Sequence, residues 1–575
     1  MSVLLTVSLS ATLPLSAASH VDVVKMRTEN RVNPLGIGTS TPRFSWQITS
    51  DRKGVVQTSY QILVASSKEK LDRNEADLWD SGERKSDEQL WIPYQGKALL
   101  SGTQAYWKVR ITTNKGKSEW PEPQLFTIGL LGETKWSGTW IGLEDLQPGE
   151  QKGMHTRLAA RYIRKDFVAK GKVKRAVAYV AGLGVYEFYV NGQRMGGSQA
   201  LQPAPTDYRK TIYYNTFDVT SLLTEKNAIA IKLGNGRMFP MRLEKAYKTP
   251  FFGYPKCRIN VKVEYENGKT ETWATNNTWK LNFDGPIRSN NEYDGEEYDA
   301  RREQALKGWT QAGFDDSQWQ KAERCAIPDG TLMAQPMRGM VEKEFGHPVS
   351  LKHRHDTLIV DFGQNMAGWI GFQVRGRQGD TIRVKYAEKL QADGSLYLDN
   401  FRNALSEDIY VCNGKENGKS WRPAFSYHGF RYAAITGMKN ARKEDFTAYT
   451  VSDEMATIGH IETSDTILNK VLKNAWWGIY GNYKGMPVDC PQRNERQPWL
   501  GDRTMGSLGE SLVFDNERLY SKWMHDICDA QRSDGNIPDV APAFWNYYTD
   551  DVTWPAALPF TCDMLYHQFG NKQPI

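Results

Sequence analysis

The side chains best suited to chemistry crowd into one stretch, Asp489 to Asp502, which reads D-C-P-Q-R-N-E-R-Q-P-W-L-G-D. It holds three acids (Asp489, Glu495, Asp502), two arginines (Arg493, Arg496), Asn494 and Trp499. Cleaving a glycosidic bond needs two carboxyl groups, one to protonate the leaving oxygen and one to activate water or attack the sugar. Glu495 is the candidate acid. Asp489, Arg493, Asn494 and Asp502 are placed to grip sugar hydroxyls, and Trp499 offers an apolar wall. Arg493 and Arg496 favour the ionised form of Glu495, whereas an acid catalyst wants its pKa raised. Either the arginines pair with Asp489 and Asp502, or burial offsets them. The competing reading is a charged surface loop cross-linked by its own ion pairs.

Pro491 and Pro498 break any continuous helix through this stretch, because each lacks an N–H and restricts the residue before it. Both flanks read as helical. Upstream, Ile467, Val471, Leu472, Ala475 and Trp476 recur at helical spacing, with Ser464 or Asp465 as a cap. Downstream, Met505, Leu508, Leu512 and Val513 do the same. Asn516 to Arg532 is predicted as a second strong helix, with Leu519, Trp523 and Ile527 on one face. Pro555 to Phe569 is predicted as another. Helices joined by functional loops are what an α/α barrel gives. The period switches from 2 to 3.6 at about Ser464, so the region 460–575 is read as helical and catalytic.

Everything before it reads as β. Residues 21–130 carry clear strands at Ser59–Ser66 and Ala105–Ile111, with Trp46 and Trp107 as core residues of a fibronectin-like sandwich. Residues 136–335 suit a jelly-roll sandwich, with a long alternating run from Arg175 to Tyr189 and an Asn-Gly hairpin at Val190–Gln193. The acidic stretch Asn290–Arg302 is read as a solvated loop, since its spacing matches no metal loop. Residues 341–450 form a third β-sandwich. Its Asp361-Phe362-Gly363 matches a kinase triplet by coincidence, because no nucleotide loop or H-R-D accompanies it; Asp361 is expected to shape a turn.

The chain has 575 residues, enough for roughly three to five domains. Its net charge of +6 is small and scattered, which argues against nucleic acid as a partner. Aromatics at 12%, with 19 Trp, suit sandwich cores and sugar-stacking surfaces alike. Residues 1–18 are apolar and end in Ser16-Ala17-Ala18, like a signal peptide without its basic start, so export to the periplasm or medium is expected. No later stretch is long enough to span a membrane. The six cysteines are dispersed, with neither a zinc nor a disulfide pattern, and Cys490 is read as packing. No cofactor and no metal is expected.

The signature D-C-P-Q-R-x-E-R…W-x-G-D resembles that of the bacterial α-L-rhamnosidases, glycoside hydrolase family 78. Further ordered stretches are similar to the family's: Val32–Gly36, Gly285–Arg288, Tyr293–Glu296, Asp361–Trp369 and Tyr427–Tyr432. The resemblance implies three β-sandwich domains and an (α/α)6 catalytic barrel that hydrolyses terminal α-L-rhamnose with inversion, acting on rhamnose-containing glycosides or polysaccharides. It implies Glu495 as general acid, with Asp489, Arg493, Trp499 and Asp502 lining the sugar pocket and Trp554 as a pocket aromatic. Asn494 departs from the aspartate that many members carry. The family's general base is a glutamate later in the barrel. The stretch Ser464–Ile575 is roughly a third of what a full barrel of six hairpins needs, so the chain is expected to be a fragment that lacks its base and is inactive alone. Glu510, Asp534, Asp539, Asp550 and Asp551 are the substitutes within it. Two other readings stay open: a non-catalytic carbohydrate-binding protein, and another helical-barrel carbohydrate enzyme such as a lyase, which would use Tyr547 or Tyr548.

Overall fold

The computed structural model describes residues 21–150, 157–242, 249–416, 418–438, 440–549 and 551–574. The expected signal peptide, 1–18, lies outside them. The chain divides into two compact units.

The smaller unit comprises described residues 21–34, 41–99 and 103–127. Strands Val21–Thr28 and Arg43–Ser50, with Ile92–Pro93, make one sheet; Gln57–Ala65 and Gln104–Thr113 lead the other. Alternation along Arg43–Ser50 and Gln104–Thr113 sends Trp46 and Trp107 inward, at 1% and 0% exposure. Trp46 Nε1 donates to Gln57 Oε1 at 3.0 Å, so the buried indole keeps a partner.

In the larger unit, two sheets face each other over Ile163, Val180, Phe188, Ile231, Val261 and Trp279. The alternating run predicted from Arg175 to Tyr189 is two strands, Val173–Leu183 and Val185–Val190. Gly184, at φ +105°, divides them, and the chain passes there from one sheet to the other. Asn191 and Gly192 take positive φ in the expected hairpin.

The third sheet system is built on one long strand, Thr357–Gln373. It pairs with His428–Thr436, and beyond a register shift between Asp361 and Met366 its second half also pairs with Phe446–Asp453. Asp361 holds Arg431 through both oxygens, at 2.8 and 2.9 Å, and accepts the Gly363 N–H at 2.7 Å.

The acidic stretch 290–302 is not a solvated loop. Ile287–Asn291 and Gly295–Asp299 form a buried hairpin, and Glu297 pairs in parallel with Ile409. Its hydrogen bonds therefore attach it to the third sheet system, although it lies within the span 136–335 read as the second sandwich. Burial is supportable because the acids are partnered: Asp294 with Arg242, and Asp299 with Arg301.

The helical region contains Thr466–Gly481, Gly501–Thr504, Ser507–Ser511, Glu517–Ala530 and Ala557–Phe569. Asp465 caps the first by accepting the N–H groups of Ile467 and Leu468. Leu519, Trp523 and Ile527 are buried, as their spacing predicts. Ile467, Leu468 and Val471 face solvent. The helical pattern predicted over Met505–Val513 breaks at Met505–Gly506 into two short helices. Among the described residues, no helix is long and apolar enough to cross a membrane.

Candidate active site

The stretch 489–502 folds as a loop pinched at its base by Asp489. The Asp489 N–H donates to Gln497 O at 2.9 Å, and Asp489 Oδ1 accepts the Gln497 N–H at 2.7 Å. Beyond the pinch, Leu500 N–H bonds to Asp539 O. The loop tip is then fixed from inside by Arg496, which is fully buried at φ +51°. Its guanidinium donates to the carbonyls of Arg493 (3.0 Å), Gln492 (3.1 Å), Tyr427 (2.8 Å) and Glu292, and lies over the rings of Tyr293 and Tyr427. Arg237 reinforces it by donating to Arg496 O at 2.6 Å and to Glu292 Oε1 at 2.7 Å.

Arg496 is thus turned away from the acids. Arg493 is not: Nη2 donates to Asp489 Oδ2 at 3.1 Å and Nε to Glu495 Oε2 at 3.0 Å. Trp499 Nε1 donates to Glu495 Oε1 at 3.0 Å, its ring stacked on Tyr547 and edge-on to Trp545. A third arginine arrives from outside the loop. Arg402, at φ +54° after the short turn Asp399–Phe401, donates to Glu495 Oε2 at 2.9 Å. Neighbouring Asn403 is fixed by Arg242, which also holds the buried Asp294.

Asp489, Arg493, Glu495 and Trp499 therefore meet in one hydrogen-bonded cluster. Asn494 points elsewhere, donating to Asn403 Oδ1 at 2.5 Å. Asp502 stands in the first turn of Gly501–Thr504. It is exposed as a residue, yet desolvation on the protein side raises its carboxyl, and the charge of Glu495 acts in the same direction. Trp554 packs on Gly501, where a Cβ would come within 2.4 Å of its ring, so glycine is required for the ring to lie there. Burial also raises Asp489. Half-buried Glu388, held by Asn365 and Asn400, is raised by burial and opposed by the facing charge of Arg493.

Asp489, Cys490 and Glu495 are close enough to share a cation, but Arg493 already bridges the two carboxylates, and burial raises the Cys490 thiol, which favours its protonated form. All six cysteines are unpaired. The described substitutes for a base are engaged: Glu510 with Arg503, Tyr483 and Tyr520, Asp534 with Asn536 N–H, Asp539 with Thr549, and Asp551 with Thr553 N–H. Asp550 lies outside the described residues. Local sequence gives no hint of Arg402, Asn403 or Arg237, which reach the loop from other domains, or of Arg242, which holds Asn403. The only signal is the polar cluster Asp399, Asn400, Arg402 and Asn403 around Phe401 between strands.

Family models match nearly end to end: an Ig-like domain named Rha78A-like N-terminal at 23–132, an α-L-rhamnosidase N-terminal domain at 171–344, a bacterial α-L-rhamnosidase concanavalin-like domain at 351–452, and a bacterial α-L-rhamnosidase 6-hairpin glycosidase domain at 456–575. The chain belongs to the bacterial α-L-rhamnosidase family, glycoside hydrolase family 78. An α-L-rhamnosidase of Formosa agariphila is 34% identical over 537 residues, covering 88% of this chain and 56% of that one. One of Alteromonas sp. (strain LOR) is 33% identical over 557 residues, covering 95% and 60%. Among solved structures, the α-L-rhamnosidase of Dictyoglumus thermophilum superposes with TM-score 0.89 at 35% identity, covering 96% of this chain and 62% of that one. That of Streptomyces avermitilis, complexed with L-rhamnose, gives 0.89 at 26%, covering 96% and 69%. The chain spans about 56–60% of the length of these curated rhamnosidases. The rhamnosidase fold is mostly sheet, with an Ig-like domain first and a helical domain last.

Proposed function

We propose that the loop 489–502 binds a terminal α-L-rhamnosyl unit of a glycoside or polysaccharide and that Glu495 is the general acid of its hydrolysis. The observation that carries this reading is the clamp on Glu495. Trp499 and Arg493 hold one oxygen each, so the carboxyl has one orientation before any sugar arrives. Asp489 and Arg493 present paired hydrogen-bonding groups beside it, suited to vicinal hydroxyls, and Trp499 and Trp554 supply apolar faces. Asp502 lines the same rim, and Asn494 acts through Asn403 rather than by direct sugar contact.

In this reading the proton passes from Glu495 to the glycosidic oxygen as the C–O bond breaks. Water attacks the opposite face, activated by a second carboxylate about 6.5–9.5 Å away, and inversion releases β-L-rhamnose. We assign that base to no residue of this chain. The first sandwich is fibronectin-like, the second a jelly roll, and the helices from Thr466 onward the opening hairpins of an (α/α)6 barrel. Export is part of the proposal, and cell fractionation tests it.

Glu495→Gln in the full-length protein tests the function. Release of nitrophenol from p-nitrophenyl α-L-rhamnoside should fall by about 10²–10⁴-fold while calorimetric rhamnose binding persists. Wild-type protein that binds rhamnose and never releases nitrophenol would instead be a carbohydrate-binding protein. The anomer first seen by NMR decides between inversion and retention.

A further inference from the structure

Among the described residues, three N–H donors reach Glu495: Trp499 on Oε1, and Arg493 and Arg402 on Oε2. That is the pattern of an ionised carboxylate, which only accepts. Oε2, with two donors, has no lone pair left for a proton, so one of the two has to let go before Oε2 can serve as the acid oxygen. Two of the three are locked. Trp499 is held between Tyr547 and Trp545, and Arg493 also grips Asp489. Arg402 is different. Its side chain is 55% exposed, against 32% for Arg493, and its guanidinium reaches across from the third sandwich to Glu495. Its Cα does not share this freedom, because Asn403 next to it is tied to Arg242 and to Asn494.

We propose that Arg402 is a displaceable clamp: it pairs with Glu495 in the free protein and, on binding, swings to a carboxylate on the leaving group, so that uronate leaving groups are preferred. The inference rests on the rhamnoside-hydrolase reading and adds a leaving-group class and a positioning residue to it. Arg402 comes in over Oε2 from outside the loop, and a guanidinium binds a carboxylate with two parallel hydrogen bonds. Among the described residues, the other charged groups facing Glu495 are Asp489 and Arg493 on its own loop and Asp502 on the following helix, with Glu388 of the third sandwich facing Arg493. None of them has both the reach and the exposure of Arg402.

The test compares the full-length wild type with Arg402→Met and Arg402→Lys. Two disaccharides are used, α-L-rhamnosyl-glucuronate and α-L-rhamnosyl-glucose, with an aryl rhamnoside as the control for hydrolysis itself. Arg402→Met should cut kcat/KM on the uronate about tenfold or more relative to the glucoside, and Arg402→Lys should recover much of that ratio. An unchanged uronate-to-glucoside ratio in Arg402→Met overturns the proposal, and so does an Arg402→Lys ratio no better than that of Arg402→Met. Wild-type protein releasing rhamnose from none of the three substrates would defeat the hydrolase reading itself, which is a separate outcome.

Discussion

At the scale of single residues, Arg496 and Trp499 divide the work of the loop. Arg496 donates to four carbonyls from a fully buried position, so removing it leaves acceptors orphaned in the protein interior. Arg496→Met should cost about 3–5 kcal/mol in urea unfolding, with Arg496→Lys intermediate because one ammonium cannot span four acceptors. Trp499 is the complementary case. Trp499→Phe keeps a ring against Tyr547 and deletes the donor to Glu495 Oε1. A hydrogen bond to a charged group contributes about 1.5–3 kcal/mol, so kcat/KM on an aryl rhamnoside should fall roughly 10- to 100-fold with the melting curve little changed. Equal losses of stability in both variants would show that the two residues do not differ in this way.

At the scale of elements, the third sheet system shapes the loop through an absent side chain. Gly429, in the strand His428–Thr436, lies under Gln492, and a Cβ there would sit 2.7 Å from Gln492 Cβ. Gly429→Val should therefore push the loop outward. Overpacking costs about 1–3 kcal/mol, whereas a displacement near 1 Å at the acid costs about 10² in rate. Activity on an aryl rhamnoside should drop far more than stability; the reverse order would mean that the loop follows its own pinch at Asp489 and not the strand. The same contrast explains what sequence reading reaches. Loop 489–502 stands out because its acids, arginines and tryptophan are contiguous, and its flanking helices show a period. Arg402 and Arg237 do not stand out, since they reach the loop from 93 and 259 residues away with no local pattern to mark them. The hairpin 287–299 misleads for a related reason: composition makes it look solvated, and partners distant in sequence make burial possible, Arg242 for Asp294 and the Ala424 and Phe425 N–H groups for Glu296.

At the scale of the whole molecule, the larger unit closes its seams with buried ionisable groups, and one of them ties its stability to pH. Glu296 sits between strand Lys226–Gly234, which brings Lys232, and the segment whose Ala424 and Phe425 N–H groups donate to its Oε2. Burial raises its carboxyl to about 8, Asp408 adds to the rise, and Lys232 opposes it. With the folded pKa above the unfolded value near 4.5, the folded state holds a proton that the unfolded chain has lost. That contribution to stability is complete below about pH 4.5 and disappears as pH rises through about 8. Lys484, lowered to about 7 by burial, works in the opposite direction above neutrality, so the wild-type profile alone cannot isolate Glu296. The difference from Glu296→Gln can. Glutamine copies the protonated acid, accepting the same two N–H groups, and never ionises. The two proteins should have nearly equal urea midpoints at pH 5, and by pH 9 the variant should be the more stable by on the order of 2–4 kcal/mol. A gap that is the same at both pH values would mean that Glu296 titrates normally and that the seam between the second and third sandwiches is hydrated, not dry.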